Sequence, residues 1–253
     1  MKRLVLGTLI ALAATQAAGC VFVSDDTSDN AHVSATWDIK NLATNQSITC
    51  PPGYDTAALF NQVVDAAGNP QGACSRSSDN NESTCFVDLF DCAAHAGTSF
   101  ALPPTRYKTW VEITDGSVSQ VWASGVPAYL DVRDVDLTYS AQLLEDGGYF
   151  YVAWDLRAAS NNAALTCGQA SADGVELIGT VTGGTESKSD IWDCVDGADY
   201  TAGYRAGSYT VSVDALNASD QAIGTAPALT NKTIQRQNGV TNLGTIQIPI
   251  SGF

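Results

Sequence analysis

The sequence predicts an all-β protein that consists of two tandem antiparallel β-sandwiches. Apolar and polar residues alternate over short stretches that recur roughly every 8–12 residues and are separated by Gly, Asp and Asn. One motif is written twice, as TWDIKNLATNQSITC from Thr36 and as AWDLRAASNNAALTC from Ala153. Each copy also carries its own cysteines. A duplicated domain explains the repetition, because each copy needs its own core and its own covalent cross-link.

The first 20 residues have the layout of an exported protein. A short positive segment precedes an apolar run over residues 4–14, and small residues then lead to Cys20. The tetrapeptide AAGC that ends at Cys20 resembles the lipobox of bacterial lipoproteins, although that box usually begins with Leu. The resemblance implies that residues 1–19 are a signal peptide and that Cys20 is lipidated. An ordinary signal peptide or an uncleaved anchor is the alternative, but the run is too short to span a bilayer comfortably.

The residues after Cys20 predict an address in the cell envelope. The residue directly after the cysteine is Val21 and not Asp, which by resemblance to enterobacterial sorting favours the outer membrane over the inner one. Residues 20–30 run into the polar, acidic stretch SDDTSDNA, which has no periodicity and is typical of a solvated tether. We therefore expect a lipid-anchored protein on the periplasmic or surface face of the outer membrane.

The charge balance excludes one class of partner. The chain has 12 Lys and Arg against 27 Asp and Glu, which gives a formal net charge of −15. A surface of this sign repels nucleic acid and anionic lipid head groups. We expect no nucleic-acid partner, and the membrane contact should come from the lipid anchor alone.

Six cysteines remain after Cys20, and an even number in an exported chain predicts three disulfides. A second repeated motif, DLFDC in the first copy and DIWDC in the second, aligns the cysteines of the two copies. The second copy has only two cysteines, and the matching pair in the first copy leaves two more inside a 15-residue insertion. The predicted bonds are Cys50–Cys92, Cys74–Cys85 and Cys167–Cys194.

Alternating strands close both copies and set the domain boundaries. VDLTY should turn Val135, Leu137 and Tyr139 inward, and IQIPI should do the same for three isoleucines, Ile246, Ile248 and Ile250. Because Pro249 cannot donate to a ladder, the last strand should lie at a sheet edge. The predicted organisation is a first sandwich at 31–139, a linker at 140–146 and a second sandwich at 147–253.

Two internal segments need a separate interpretation. TAALFNQVV has apolar residues at helical spacing, whereas its counterpart VELIGTVTG alternates like a strand. We predict a strand for both. AGSYTVSVDAL, residues 206–216, looks like the Gly-x-Tyr-x-Val-x-Val strand of carboxypeptidase-regulatory-like and other transthyretin-like sandwiches.

The whole repeat is similar to tandem-sandwich lipoproteins that are common in myxobacteria and their relatives. If Val111 is aligned with Val211, the first copy departs from the Gly-x-Tyr motif, with Tyr107 replacing the Gly and Thr109 the Tyr. The resemblance implies an immunoglobulin- or transthyretin-like fold and a location in the cell envelope. It implies no catalytic residues.

The sequence contains no motif that indicates an enzyme. It has no Gly-x-Ser-x-Gly elbow, no His-Glu-x-x-His and no Gly-rich phosphate loop. A Ser–His–Asp triad would depend on His32 or His95, and lone histidines usually serve packing. The aspartates form no Asp-x-Asp-x-Asp-Gly loop of the kind that calcium requires; they are Asp131, Asp134 and Asp136 in one segment and Asp190, Asp193, Asp196 and Asp199 in another. We expect neither catalysis nor a metal or other cofactor.

Four tryptophans predict two different roles. Trp37 and Trp154 occupy the same place in both copies, so we expect them in the cores beside the disulfides. Trp110 should point outward from the first sandwich, and a three-residue hairpin loop would place Trp122 directly across from it. This pair predicts a non-enzymatic envelope protein with a structural role or, alternatively, a carbohydrate- or protein-binding module. The pair could equally be covered by the second sandwich, the tether or the insertion.

Overall fold

The computed structural model describes residues 31–74, 81–82, 84–133 and 135–253. The predicted signal peptide, Cys20, the tether at 20–30 and Asp134 lie outside the described residues. β-Strands are the dominant secondary structure of the described part, with only short helical turns besides, and this confirms the predicted fold class. Within the same ranges, no helix has both the length and the apolar character needed to cross a membrane.

Ten strands form the first sandwich. They are β1 (Val33–Asn41), β2 (Gln46–Ser47), β3 (Thr56–Val63), β4 (Asn81–Glu82), β5 (Cys85–Asp91), β6 (Ala96–Thr98), β7 (Thr105–Thr114), β8 (Val121–Ser124), β9 (Ala128–Val132) and β10 (Leu137–Leu144). One sheet holds β10, β1, β2 and β6, and the other has the order β4-β5-β3-β7-β8, with β9 also on β7. The ambiguous segment TAALFNQVV is the central strand β3, as predicted.

Ten further strands form the second sandwich, and pairing links all ten into one sheet, whereas the first sandwich has two separate sheets. They are β11 (Gly147–Ala158), β12 (Ala164–Leu165), β13 (Gly174–Val181), β14 (Ser187–Asp193), β15 (Ala198–Tyr200), β16 (Tyr204–Arg205), β17 (Gly207–Leu216), β18 (Ala222–Thr225), β19 (Leu229–Ile234) and β20 (Gly239–Ile250). One helical turn, α1 (Cys167–Ala170), follows β12. A 3₁₀ turn follows β5 in the first copy (Cys92–Ala94) and β14 in the second (Cys194–Asp196).

One strand pair in each sandwich is parallel, which the antiparallel prediction does not include. β10 runs parallel to β1, and β20 runs parallel to β11. Alternation fixes which face a strand buries but says nothing about its direction. The closing strand of each copy enters the sheet beside the first strand and points the same way.

The closing strand of the first copy extends further than predicted. Val135 is 64% exposed, so the prediction that it faces inward is wrong. Leu137 and Tyr139 face inward as predicted, and the alternation continues through Ala141 to Leu143. Most of the predicted linker at 140–146 is therefore β10, and only two residues separate it from β11.

The closing strand of the second copy turns the predicted side chains inward, but it does not lie at the edge of the sheet as predicted. Ile246, Ile248 and Ile250 are all buried. Pro249 lies opposite Arg157 in the parallel ladder with β11. Because Ile250 also pairs with Gly224 of β18, β20 is not an outer strand.

Each sandwich has its own core, and the repeated tryptophan occupies the same place in both. Trp37 is 2% exposed and Trp154 is 6% exposed. The indole Nε1 of Trp37 donates to the Cys92 carbonyl at 2.8 Å, and that of Trp154 donates to the Cys194 carbonyl at 2.9 Å. The core interpretation is confirmed, and the hydrogen bond explains why the motif pairs a Trp with a distant cysteine.

The three disulfides join the cysteines that the repeat predicts. Cys50–Cys92 and Cys167–Cys194 cross-link matching places in the two sandwiches. Cys74–Cys85 ties the insertion to the start of β5. Cys74 is thus held against the outer face of one sheet, which matters for the site below.

The strand ladders correct the alignment of the two copies by two residues. Val63 of β3 pairs with Tyr107 of β7, and Val181 of β13 pairs with Tyr209 of β17. Both tyrosine hydroxyls donate to the carbonyl four residues earlier, that of Pro103 at 2.9 Å and that of Arg205 at 2.8 Å. Tyr107 is thus the counterpart of Tyr209.

The corrected register also changes the counterparts of two other residues of β7. Thr105, not Tyr107, takes the place of the motif glycine, Gly207, and the counterpart of Trp110 is Ser212 rather than Thr210. A slip of two residues keeps every side chain on its own face, so alternation alone cannot reveal it.

Candidate functional site

Trp122 does not lie across from Trp110, and this prediction is wrong. The hairpin loop after β7 is longer than predicted, because Thr114 pairs with Val121. Ile113 pairs with Ala123, so Trp122 is the extra residue of a β-bulge. The bulge turns its ring into the core of the first sandwich, where it is 9% exposed.

Trp110 does point away from that core, as predicted. Its ring stacks on Phe60 of the neighbouring strand, with the ring centres 4.7 Å apart and the planes 4° from parallel. Its Nε1 donates to Glu112 Oε1 at 3.1 Å, and Lys108 Nζ lies 5.5 Å from the ring centre. Three groups therefore hold the indole in one orientation while it stays partly exposed.

A small apolar cluster lies on this outer face beside Trp110. Its buried members are Ala58, Phe60, Cys85, Val87 and Val118, and Cys74, Leu89 and Trp110 pack against them. The insertion contributes its two cysteines to this cluster. Because Trp110 and Trp122 do not form the predicted pair, the alternative in which the insertion covers that pair does not apply. The outer face of β7 remains partly open at Lys108 and Trp110.

Asn238 of the second sandwich fixes how the two sandwiches meet at this face. It is 4% exposed, and its Oδ1 accepts from the Leu144 backbone N–H at 2.7 Å. Its Nδ2 donates to the Ser124 carbonyl at 2.7 Å. The Asn238 N–H also donates to the Leu144 carbonyl at 2.9 Å. One buried side chain thus ties β8, the end of β10 and the start of β20 together.

A second polar anchor lies on the other side of the junction. The Asp146 carboxylate accepts from the backbone N–H groups of Leu42 at 2.6 Å and Ala43 at 2.9 Å. Hydrogen bonds between a carboxylate and backbone N–H groups are charge-assisted and comparatively strong. The short connection between β10 and β11 is therefore hydrogen-bonded to the loop that follows β1.

The junction leaves a cleft of about 550 Å³ between the two sandwiches, which we call the inter-sandwich cleft. Trp110 and Trp122 both line it, so the structure brings the two predicted residues together by a route other than a cross-strand pair. Lys108 and Glu112 line it from β7, and the second sandwich supplies Tyr200, Asn238 and Val240. The cleft therefore combines exposed aromatic surface with a few oriented polar groups, the composition typical of small-ligand sites.

Tyr200 adds a hydroxyl to the cleft. Its ring centre is 4.8 Å from that of Tyr151. Burial raises the pKa of Tyr200 above its usual value, and Tyr151, Tyr129 and Asp199 raise it further. The hydroxyl stays protonated at neutral pH and can donate a hydrogen bond to a ligand oxygen.

The groups considered for catalysis have structural roles in the described residues. A ring nitrogen of His32 lies 2.8 Å from the Ser99 carbonyl, and one of His95 lies 3.1 Å from the Trp37 carbonyl. His95 and its counterpart Gly197 both end a 3₁₀ turn with a left-handed backbone conformation, at φ 54° and 71°.

The repeated aspartates also serve the fold. Asp88 Oδ1 accepts from the Phe100 N–H at 3.2 Å, and Asp190 Oδ1 accepts from the Ala202 N–H at 3.0 Å. Burial raises the pKa of Asp88, and the Phe100 N–H partly opposes the shift. Among the residues that the structure describes, no three His, Cys, Asp or Glu side chains are grouped closely enough to hold a metal ion.

Sequence reasoning finds the first-sandwich half of the cleft and misses the other half. Asn238 stands in the polar stretch QRQNGV, and nothing in that stretch signals burial. Tyr200 follows the second aromatic-Asp-Cys motif, where its counterpart in the first copy is Thr98. A tyrosine in one copy where the other has a threonine indicates a role that the shared fold does not require. That comparison can be made only once the register of the strands is known.

Comparison with known proteins gives no family for this chain. No family model matches it, and no curated protein matches it. Solved structures with a related arrangement include a leucine-rich repeat protein from Bacteroides thetaiotaomicron, with 14% identity, a TM-score of 0.38 and coverage of 88% of this chain and 27% of that chain. This chain therefore spans about a quarter of the length of that protein.

Two pilins are also similar in arrangement. A minor pilin of Streptococcus agalactiae has 9% identity and a TM-score of 0.27 over 86% of this chain and 96% of that chain. A streptococcal ancillary pilin has 11% identity and a TM-score of 0.27 over 88% and 63%. Similarities at this level say nothing about ligand or activity, so any functional inference depends on the cleft itself.

Proposed function

We propose that the protein is a non-enzymatic, lipid-anchored envelope protein that binds carbohydrate in the inter-sandwich cleft. The observation that supports this most is the asymmetry at one position of the repeat. The first copy has Trp110 where the second has Ser212. The sandwich fold therefore does not require an aromatic side chain there, whereas stacking against a sugar ring does.

The polar groups around Trp110 suit a ligand rich in hydroxyls. Glu112 Oε1 accepts from both Trp110 Nε1 and Ser124 Oγ, so its carboxylate has a fixed position. Lys108 and Tyr200 supply donors at the same cleft. A protein partner with an apolar loop is the competing ligand, and it would use the aromatic surface without the polar groups.

The experiment is a binding comparison with Trp110→Ser, which installs the residue of the second copy. We expect this variant to lose glycan binding by at least about tenfold, because stacking on an aromatic ring is worth on the order of 1.4 kcal/mol or more. Glycan-array screening selects the glycan, and isothermal titration with the purified protein measures its affinity. Phe100→Ala is the matched control, because Phe100 is 68% exposed and does not line the cleft.

Two results would contradict this proposal. Equal affinity of the Trp110→Ser variant and the parent would place the ligand elsewhere. A screen that finds no glycan, together with a Trp110-dependent protein partner, would favour the protein-binding function instead.

The anchor is tested separately. Radioactive palmitate should label the parent in its bacterial host, and a Cys20→Ala variant should lose that label together with its membrane association. The physical reason is that acyl chains hold the protein at the bilayer by burying their methylene groups. Undiminished labelling of the variant would remove the lipoprotein part of the proposal and leave the cleft untouched.

A further inference from the structure

A second hollow of about 450 Å³ lies on the first sandwich, at the start of β7. Arg106, Asp131 and Arg133 line it. Arg106, Lys108 and Trp110 alternate along β7, so their side chains share its outer face, and Arg106 lies about 14 Å from Trp110 along the strand. Tyr129 of β9 pairs with Lys108 and is 49% exposed. An extended ligand on this face would meet cations and aromatic rings in succession.

Two of these cations are held in place by the protein. Arg106 Nη1 donates to the Ala66 carbonyl at 2.7 Å, and its guanidinium carbon lies 5.5 Å from the ring centre of Tyr129. Lys108 Nζ lies at the same distance from the ring centre of Trp110. Ala66 lies in the loop after β3, ahead of the insertion, so that loop helps to fix Arg106. Each cation is thus placed on an aromatic ring before any ligand arrives, which lowers the entropic cost of binding.

The charge of this face is opposite to that of the molecule. The chain has a net charge of −15. Along the face, Arg106, Lys108 and Arg133 stand against two carboxylates, those of Asp131 and Glu112. Asp131 is already paired with Arg133 at 2.9 Å, and Glu112 is 4% exposed and accepts hydrogen bonds from the protein. The unneutralised charge that faces a ligand is therefore positive.

We propose that the inter-sandwich cleft and the hollow beside Arg106 together bind an acidic polysaccharide. Its sugar rings would pack against the parts of Trp110 and Tyr129 that Phe60, Lys108 and Arg106 leave uncovered, and its carboxylates would meet Arg106 and Lys108. This inference rests on the proposed function, because it names the class of carbohydrate that the same site takes.

The test compares polygalacturonate with the fully methyl-esterified polymer, which has the same sugar backbone without the charge. The full chain should bind the acidic polymer at least about tenfold more tightly, and the difference should shrink as salt is raised. An Arg106→Gln, Lys108→Gln double variant should lose about tenfold for the acid and little for the ester. Arg205→Gln, Lys232→Gln is the control, since it removes one Arg and one Lys far from the face.

Three results decide between this inference and the proposed function. Equal binding of both polymers by the parent would overturn the acidic class and leave the carbohydrate function standing. Equal loss in the two double variants would attribute the effect to net charge and also overturn the inference. Binding of neutral glycans only, with sensitivity to Trp110→Ser, would overturn the inference and leave the proposed function standing. No glycan binding at all would overturn both the inference and the proposed function.

Discussion

Replacing Trp154 with alanine should lower the free energy of unfolding by about 3–5 kcal/mol, the usual cost of deleting a buried Trp side chain. The ring is 6% exposed and lies 5.8 Å, centre to centre, from Trp192 at an interplanar angle of 22°. Its removal would leave a cavity and deprive the Cys194 carbonyl of its donor. Urea unfolding followed by circular dichroism measures the loss.

Two matched variants separate the loss of packing from the loss of the indole hydrogen bond. Trp154→Phe keeps most of the volume but has no N–H donor, so we expect an intermediate loss of about 1–2 kcal/mol. Trp110→Ser changes a half-buried residue on the outer face and should cost less than either Trp154 variant. If Trp154→Ala cost under about 1 kcal/mol, the assignment of this residue to the core would be wrong.

Removing the Cys167–Cys194 disulfide should also lower the free energy of unfolding strongly. The bond closes a segment with a sequence separation of 27, and the chain-entropy model then gives about 3–4 kcal/mol. Cys74–Cys85 has a separation of 11, which gives about 3 kcal/mol or slightly less. Each pair is replaced by alanines in the full chain, and unfolding is measured without reductant. We expect the larger loss for Cys167–Cys194.

The reverse order would show that the insertion contributes more than its loop length suggests. Packing could produce that outcome, because Cys74 and Cys85 lie in the apolar cluster beside Trp110 and their replacement would also remove contacts there. It would contradict the view that the two matching disulfides are the main covalent supports of the sandwiches. Double-alanine replacement of Cys50 and Cys92, with a separation of 42, serves as the third member of the series.

Much of the fold could be predicted from the sequence because the chain repeats itself. The paired motifs fix the disulfides and the places of Trp37 and Trp154, and the second copy, with only two cysteines, removes the ambiguity of the first. Alternation correctly predicts that β3 is a strand and that Ile246, Ile248 and Ile250 face inward.

What alternation cannot predict is register, direction and bulges. A slip of two residues leaves the facing of β7 unchanged, so the alignment of Trp110 with Thr210 looked as good as the observed match with Ser212. Trp122 was placed on the wrong face because one extra residue in β8 reverses the pattern. The parallel pairing of β1 with β10 depends on a contact 104 residues apart, which local patterns do not contain.

The second half of the cleft could not be predicted because it depends on how the sandwiches meet. Asn238 is polar and surrounded by polar neighbours in sequence, yet it is buried by contact with Ser124 and Leu144. Only the packing of one sandwich against the other gives it three backbone partners. Sites between domains are commonly of this kind, since each domain alone shows only one wall.

Indole ¹H–¹⁵N signals offer the most direct measurement of the binding claim. The chain has five tryptophans, and the signals are assigned by replacing each tryptophan in turn with phenylalanine. On titration with the bound glycan, the Trp110 signal should move with saturation, accompanied by that of Trp122, which also lines the cleft. The signals of Trp37 and Trp154 should stay still, because both indoles are buried and bonded to backbone carbonyls. A saturable shift of Trp192 alone, or no shift in any of the five, would contradict binding in the inter-sandwich cleft.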